Sequence, residues 1–74
     1  MTSYASEEDF LKDQIQSNNL AIEFIKDELE KVISELPEDH AGTKEKIINV
    51  YTRGIGYLKK DNQVKKREIT LLEL

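Results

Sequence analysis

The stretch Leu36-Pro37-Glu38-Asp39-His40-Ala41-Gly42-Thr43 divides the chain into two arms of helix-like sequence. Pro37 has no backbone donor and biases Leu36 away from helical geometry, so a helix arriving from the N-terminal side ends at about Glu35 or Leu36. Gly42 is poorly suited to a helix, and Thr43 is a good N-cap residue with Glu45 behind it to complement the helix dipole. The expected organisation is one domain over residues 1–74, with helix 1 at about 6–36, a hinge over 37–42 and helix 2 at about 43–73. A connection of that length is usual between antiparallel helices.

Working outward through the first arm, Ser6 followed by Glu7, Glu8 and Asp9 reads as a helix start, a hydroxyl cap with acids in the first turn. Ile15, Ile22, Leu29 and Leu36 then occupy position a of a heptad, and Leu11, Ile25 and Val32 occupy position d. Asn18 is the one polar residue at d. In the second arm Ile48, Ile55, Asn62 and Ile69 fall at a, with Tyr51, Leu58, Lys65 and Leu72 at d. A turn at Asp61-Asn62-Gln63 followed by a short strand over 68–71 is the alternative for the last segment. The in-register return of Ile69 and Leu72 favours continued helix.

Folded at the hinge as an antiparallel hairpin, residues whose numbers sum to 80 lie level. Val32 then meets Ile48, Leu29 meets Tyr51, Ile25 meets Ile55, Ile22 meets Leu58, and Leu11 meets Ile69. Asn18 and Asn62 also fall level. A lone amide in an apolar seam costs roughly 2–7 kcal/mol, whereas two facing amides satisfy each other, so this pair is expected to set the register. Lys65, level with Ile15, is expected to lie along the seam with its ammonium directed outward.

A hairpin seam leaves other apolar residues uncovered. Phe10, Ala21 and Phe24 on the first arm, with Ile47, Val50, Gly54, Tyr57, Val64 and Leu71 on the second, occupy the neighbouring g and c positions. In an antiparallel pair these positions form one side of the hairpin, which we expect to be a partner-binding face. Gly54 within it would let another helix come close. The e side carries Lys12, Asn19, Lys26, Thr52, Lys59 and Lys66, with Ile33 as its one apolar member.

The chain of 74 residues is short for a self-sufficient core, and it has no Cys for a disulfide or a thiolate metal site. Hydrophobic residues at 38% beside charged residues at 35% suit amphipathic helices rather than disorder. No apolar run reaches the roughly 20 residues of a membrane span, and the acidic N-terminal region is unlike a signal peptide, so a soluble, cytoplasmic protein is expected. Residues 1–39 carry eleven acids against three lysines, a net of −8, while residues 40–74 carry eight bases against four acids, a net of +4. The asymmetry is read first as mutual attraction between adjacent arms.

Little in the chain suggests catalysis. His40 is the only histidine and lies in the hinge, Glu7-Glu8-Asp9 reads as a helix start, and Asp27-Glu28-Glu30 reads as a solvated face. Gly54-Ile55-Gly56 lacks the surroundings of a phosphate loop. The expectation is a non-enzymatic protein without catalytic residues, metal, cofactor or small-molecule substrate. The one basic cluster, Lys59, Lys60, Lys65, Lys66 and Arg67 with Tyr57 nearby, supports an alternative reading as a small nucleic-acid-binding helical dimer. The acidic overall balance weighs against nucleic acid, and no membrane partner is expected.

The fold class expected is all-α, a coiled-coil-like antiparallel two-helix hairpin that pairs into a four-helix bundle. In shape it resembles the small homodimeric bundle of the plasmid RNA-regulating Rop proteins, a resemblance of architecture alone that carries no residue across. The expected function is that of a small adaptor or regulator binding protein, either itself as a homodimer or a helical heteropartner.

Overall fold

The computed structural model describes residues 6–74, so residues 1–5 of the single domain expected over 1–74 lie outside the described residues. Two helices, α1 over Glu7–Glu35 and α2 over Ala41–Leu72, pack against each other across a short 3-10 turn at Glu38–His40. There is no strand among the described residues. The chain is an all-helical hairpin.

Each helix end has a local cause. Ser6 is extended and its Oγ accepts the Asp9 N–H at 3.2 Å, while Glu7, Glu8 and Asp9 place negative charge at the positive end of the dipole. At the other end Pro37 holds Leu36 extended, at φ −81° and ψ 136°, and α1 stops at Glu35. The second helix starts earlier than expected. Glu38, Asp39 and His40 already form a 3-10 turn, closed by His40 N–H donating to the Pro37 carbonyl at 3.1 Å, and α2 runs on directly from Ala41. Thr43 therefore lies inside the first turn rather than capping it, and the cap position falls to His40, which makes no side-chain capping bond. Gly42 is absorbed into that turn without a positive φ. At the far end α2 continues through Asp61-Asn62-Gln63 to Leu72, so the turn-and-strand alternative for 61–74 does not occur.

Side-chain hydrogen bonds across the seam fix the register. Asn18 Nδ2 donates to Asn62 Oδ1 and to Asp61 Oδ2, each at 2.8 Å, and Asn62 Nδ2 donates to Asn19 Oδ1 at 2.9 Å. The numbers of these partners sum to 79, 80 and 81, centring the register on 80. Near the open end the Glu8 and Glu73 carboxyl groups lie close enough to shift each other's pKa, and their numbers keep nearly the same relation.

The molecule is a single layer. Its extents are 54 × 25 × 13 Å, and the smallest of these is little more than one helix diameter. One layer can bury only the stripe where the two helices meet. Leu11, at 5% exposure, and Ile22, at 7%, are the buried hydrophobics, and the other seam residues Ile15, Ile25, Leu29, Tyr51, Ile55, Leu58 and Ile69 are half-buried. Two positions expected in the seam lie further out. Ile48 near the hinge is 40% exposed and Leu72 near the open end is 48% exposed, because each sits within one turn of an end of the opposite helix.

Candidate interaction face

In a helix of heptad period the positions g and c follow d around the circumference, with f just beyond c. Exposure follows this order. Phe24 at c is 67% exposed and Tyr57 at c is 75% exposed, and Val50, Val64, Leu71 and Phe10, also at c, are exposed as well. Ala21, Ile47 and Gly54, at g and thus nearer the seam, are half-buried. Tyr57, Lys60, Asp61 and Val64 border a shallow depression of about 280 Å³ on this side.

One apolar residue that the g and c letters omit borders this side from the outer edge. Leu20, at position f, is 62% exposed and lies one turn before Phe24. Its apolar character beside an aromatic at i+4 was the available signal.

The opposite side is polar. Asn19, Lys26, Lys59, Asn62, Gln63 and Lys66 line an open groove of about 500 Å³, with Glu23 at its edge and Ile22 beneath. The basic cluster anticipated from sequence is not gathered into one patch. Lys59 and Lys66 face this groove, Lys60 borders the depression beside Tyr57, and Arg67 is exposed on the outer edge of α2. Lys65 does not extend outward as expected. Its ammonium turns back along the helix to pair with Asp61, and its side chain is only 18% exposed.

Between the two sides runs the polar layer. Asp61 lies at its apolar-face end, Asn18 and Asn62 in the middle, and Asn19 at the groove end. Asn62 is 7% exposed, and both functions of its amide are used, the carbonyl by Asn18 and the NH2 by Asn19. No buried side-chain polar atom among the described residues lacks a partner. Hydrogen bonds from Lys65 and then from Asn18 hold the Asp61 carboxyl below its ordinary pKa, so it accepts from both as the anion. Sequence reading found Asn18 and Asn62 but not Asn19 or Asp61. Both are adjacent in sequence to a seam asparagine, and a letter at e or g did not foretell that they would reach across.

His40 sits at the hinge with Nε2 3.7 Å from Asp39 Oδ1, both side chains well exposed. Among the described residues no group of three His, Cys, Asp or Glu side chains is placed to hold a metal, and no helix is long and apolar enough to cross a membrane. No protein-family model, curated protein or solved structure matches the chain.

Proposed function

We propose that this chain is a non-enzymatic protein-protein interaction module, a small adaptor or regulator, that associates through the face formed by its g and c positions and completes a four-helix bundle. The observation that carries this reading is the distribution of exposed apolar side chains. Phe10, Phe24, Val50, Tyr57, Val64 and Leu71 all lie at c on that side, with Leu20 on the outer edge beside it and Ile48, Leu72 and Leu74 exposed elsewhere, whereas Leu11 and Ile22 are the only hydrophobics buried among the described residues. Exposed apolar side chains gathered on one side mark an interaction site more often than scattered ones do.

The test is the solution mass and helicity of the pure chain across a dilution series, with Tyr57→Glu measured alongside. Association that weakens in Tyr57→Glu supports the face, as does a poorly helical monomer, since its core is then incomplete. A fully helical wild-type monomer at every concentration, with Tyr57→Glu melting at the same temperature, removes the reading. The nucleic-acid alternative has narrower support in the three lysines, Lys26, Lys59 and Lys66, around the polar groove. Indifference of the wild-type chain to RNA and DNA at low salt removes it.

A further inference from the structure

The interaction reading leaves the partner open, but the surface and charge of the hairpin select one. The chain exposes 6006 Å². A compact monomer of 8.6 kDa exposes about 4,700 Å². The excess of about 1,300 Å², which includes residues 1–5 and the area that any single layer exposes, leaves room for the roughly 800 Å² that each partner contributes to a standard-size interface. Area alone does not name the occupant.

The outer edges of the two helices do. Position f of α2 carries Lys46, Arg53, Lys60 and Arg67, a basic row repeating every seven residues beside the apolar row at c, and all four are exposed. Position f of α1 carries Asp13, Leu20, Asp27 and Ser34 beside Phe24. Within one hairpin these two rows point away from each other, each on the side of its helix opposite the seam.

Two hairpins can be laid face to face about a twofold axis in two ways. An axis across the helices sets α1 on the partner's α1 and α2 on the partner's α2, with the hinges at opposite ends. That arrangement places basic row beside basic row. An axis parallel to the helices sets α2 on the partner's α1, with both hinges at one end. It keeps every residue at its own height, so numbers summing to about 80 lie level between copies as they do within one. Arg67 then lies level with the partner's Asp13, Arg53 with Asp27, and Tyr57 with Phe24. Gly54 also faces the joint. A Cβ built there meets nothing within 4 Å in the single hairpin, so its lack of a side chain has no use inside the chain.

We propose that the occupant of the apolar face is a second copy of this chain, bound about an axis parallel to the helices, with each α2 on the partner's α1 and both hinges at the same end. This rests on the interaction reading above and adds the identity and orientation of the partner. Opposite charge across the outer edges selects this pairing over the other, since like-charge juxtaposition disfavours a competing arrangement.

The chain has no cysteine, so Glu38→Cys in the exposed hinge gives a single site for a spin label. Sedimentation of the labelled chain reports its mass, and dipolar spectroscopy reports the distance between labels. The expected result is a dimer with labels about 20–30 Å apart, from helices spaced 8–10 Å plus two label arms. A distance near the 54 Å long dimension would put the hinges at opposite ends and overturn this arrangement, while self-association through the face would stand. A monomer at all concentrations would overturn the second copy, and its helicity would then decide the interaction reading separately. A second measurement does not depend on the label. Arg53→Glu and Asp27→Arg should each weaken the dimer about tenfold at low salt, and the two combined should restore it. Failure of the combined variant to recover would overturn the juxtaposition of these two rows.

Discussion

Asn18 and Asn62 hydrogen-bond to each other at 2.8 Å across a seam that is otherwise largely aliphatic, 44 residues apart in the chain. Asn62 is the more buried partner, and removing it takes away an acceptor for Asn18 and a donor for Asn19 together. Asn62→Ala should lower stability by about 1–3 kcal/mol, read as an earlier midpoint in urea. The paired change Asn18→Ile with Asn62→Ile should instead raise the midpoint while admitting more than one register, visible as extra amide resonances. A double variant that is both less stable and uniform in register would contradict the role given to this layer.

Gly54 and Gly56 separate helix propensity from docking. Neither has an atom within 4 Å of an added Cβ. Gly56 lies away from the apolar face, and Gly56→Ala should simply stabilise the helix by about 0.5–1 kcal/mol at any concentration. Gly54→Ala should give a similar gain to the dissociated hairpin yet weaken association. Thermal melts at two concentrations distinguish the cases, and identical behaviour of the two variants would show that nothing packs on Gly54.

The open end should respond to pH through Glu8 and Glu73. The hydrogen bond with Glu73, followed by the one from Lys12, holds Glu8 below the ordinary value of 4.5, while the hydrogen bond and charge of Glu8 hold Glu73 above it. The contribution of Glu73 is present below 4.5 and lost as pH rises through its raised value in the folded chain. That of Glu8 is present above 4.5 and lost as pH falls through its lowered one. The two contributions overlap around 4.5, and toward neutral pH that of Glu73 is lost while that of Glu8 remains. Glu73→Gln removes the repulsion, so the protection of amides in the last turn of α2, with the base-catalysed intrinsic exchange rate divided out, should lose its dependence on pH above the ordinary value of 4.5. Unchanged sensitivity would show that the two carboxyl groups do not interact in solution.

Ser6 tests the first turn. Its Oγ is the side-chain cap of α1, and Ser6→Ala should cost about 0.5–2 kcal/mol of stability, whereas Ser6→Asp should retain most of it. Equal midpoints for the Ala variant and the parent would mean that the turn frays in the native chain.

Much of this architecture was readable from residues with strong local rules. Pro37 stops a helix wherever it stands, and repeated a and d residues place a seam without knowledge of the partner helix. The polar pair was readable because two amides in register have few other ways to be satisfied. What escaped reading depended on reach and rotation. Asn19 and Asp61 join the layer only because each helix turns enough to bring a flanking side chain over the seam, and Lys65 is drawn back by the carboxylate one turn before it. The start of α2 was misplaced because Glu38-Asp39-His40 can wind as a 3-10 turn, a choice that single-residue preferences do not decide. The apolar positions of the candidate face followed from the heptad, except Leu20, whose letter lies on the outer edge.

The single short turn gives this hairpin one place from which to close. Closure spreading from Pro37 brings Leu29, Ile25 and Ile22 level with α2 before it arrives at Asn18, and only afterward can Leu11 come level with Ile69. A chain slipped by four residues reaches that point with Ile22 opposite Asn62, leaving the amide desolvated and alone at a cost of roughly 2–7 kcal/mol. The layer thus penalises misalignment well beyond its own pair, since the far end, where Leu11 meets Ile69, is in register only when the amides are.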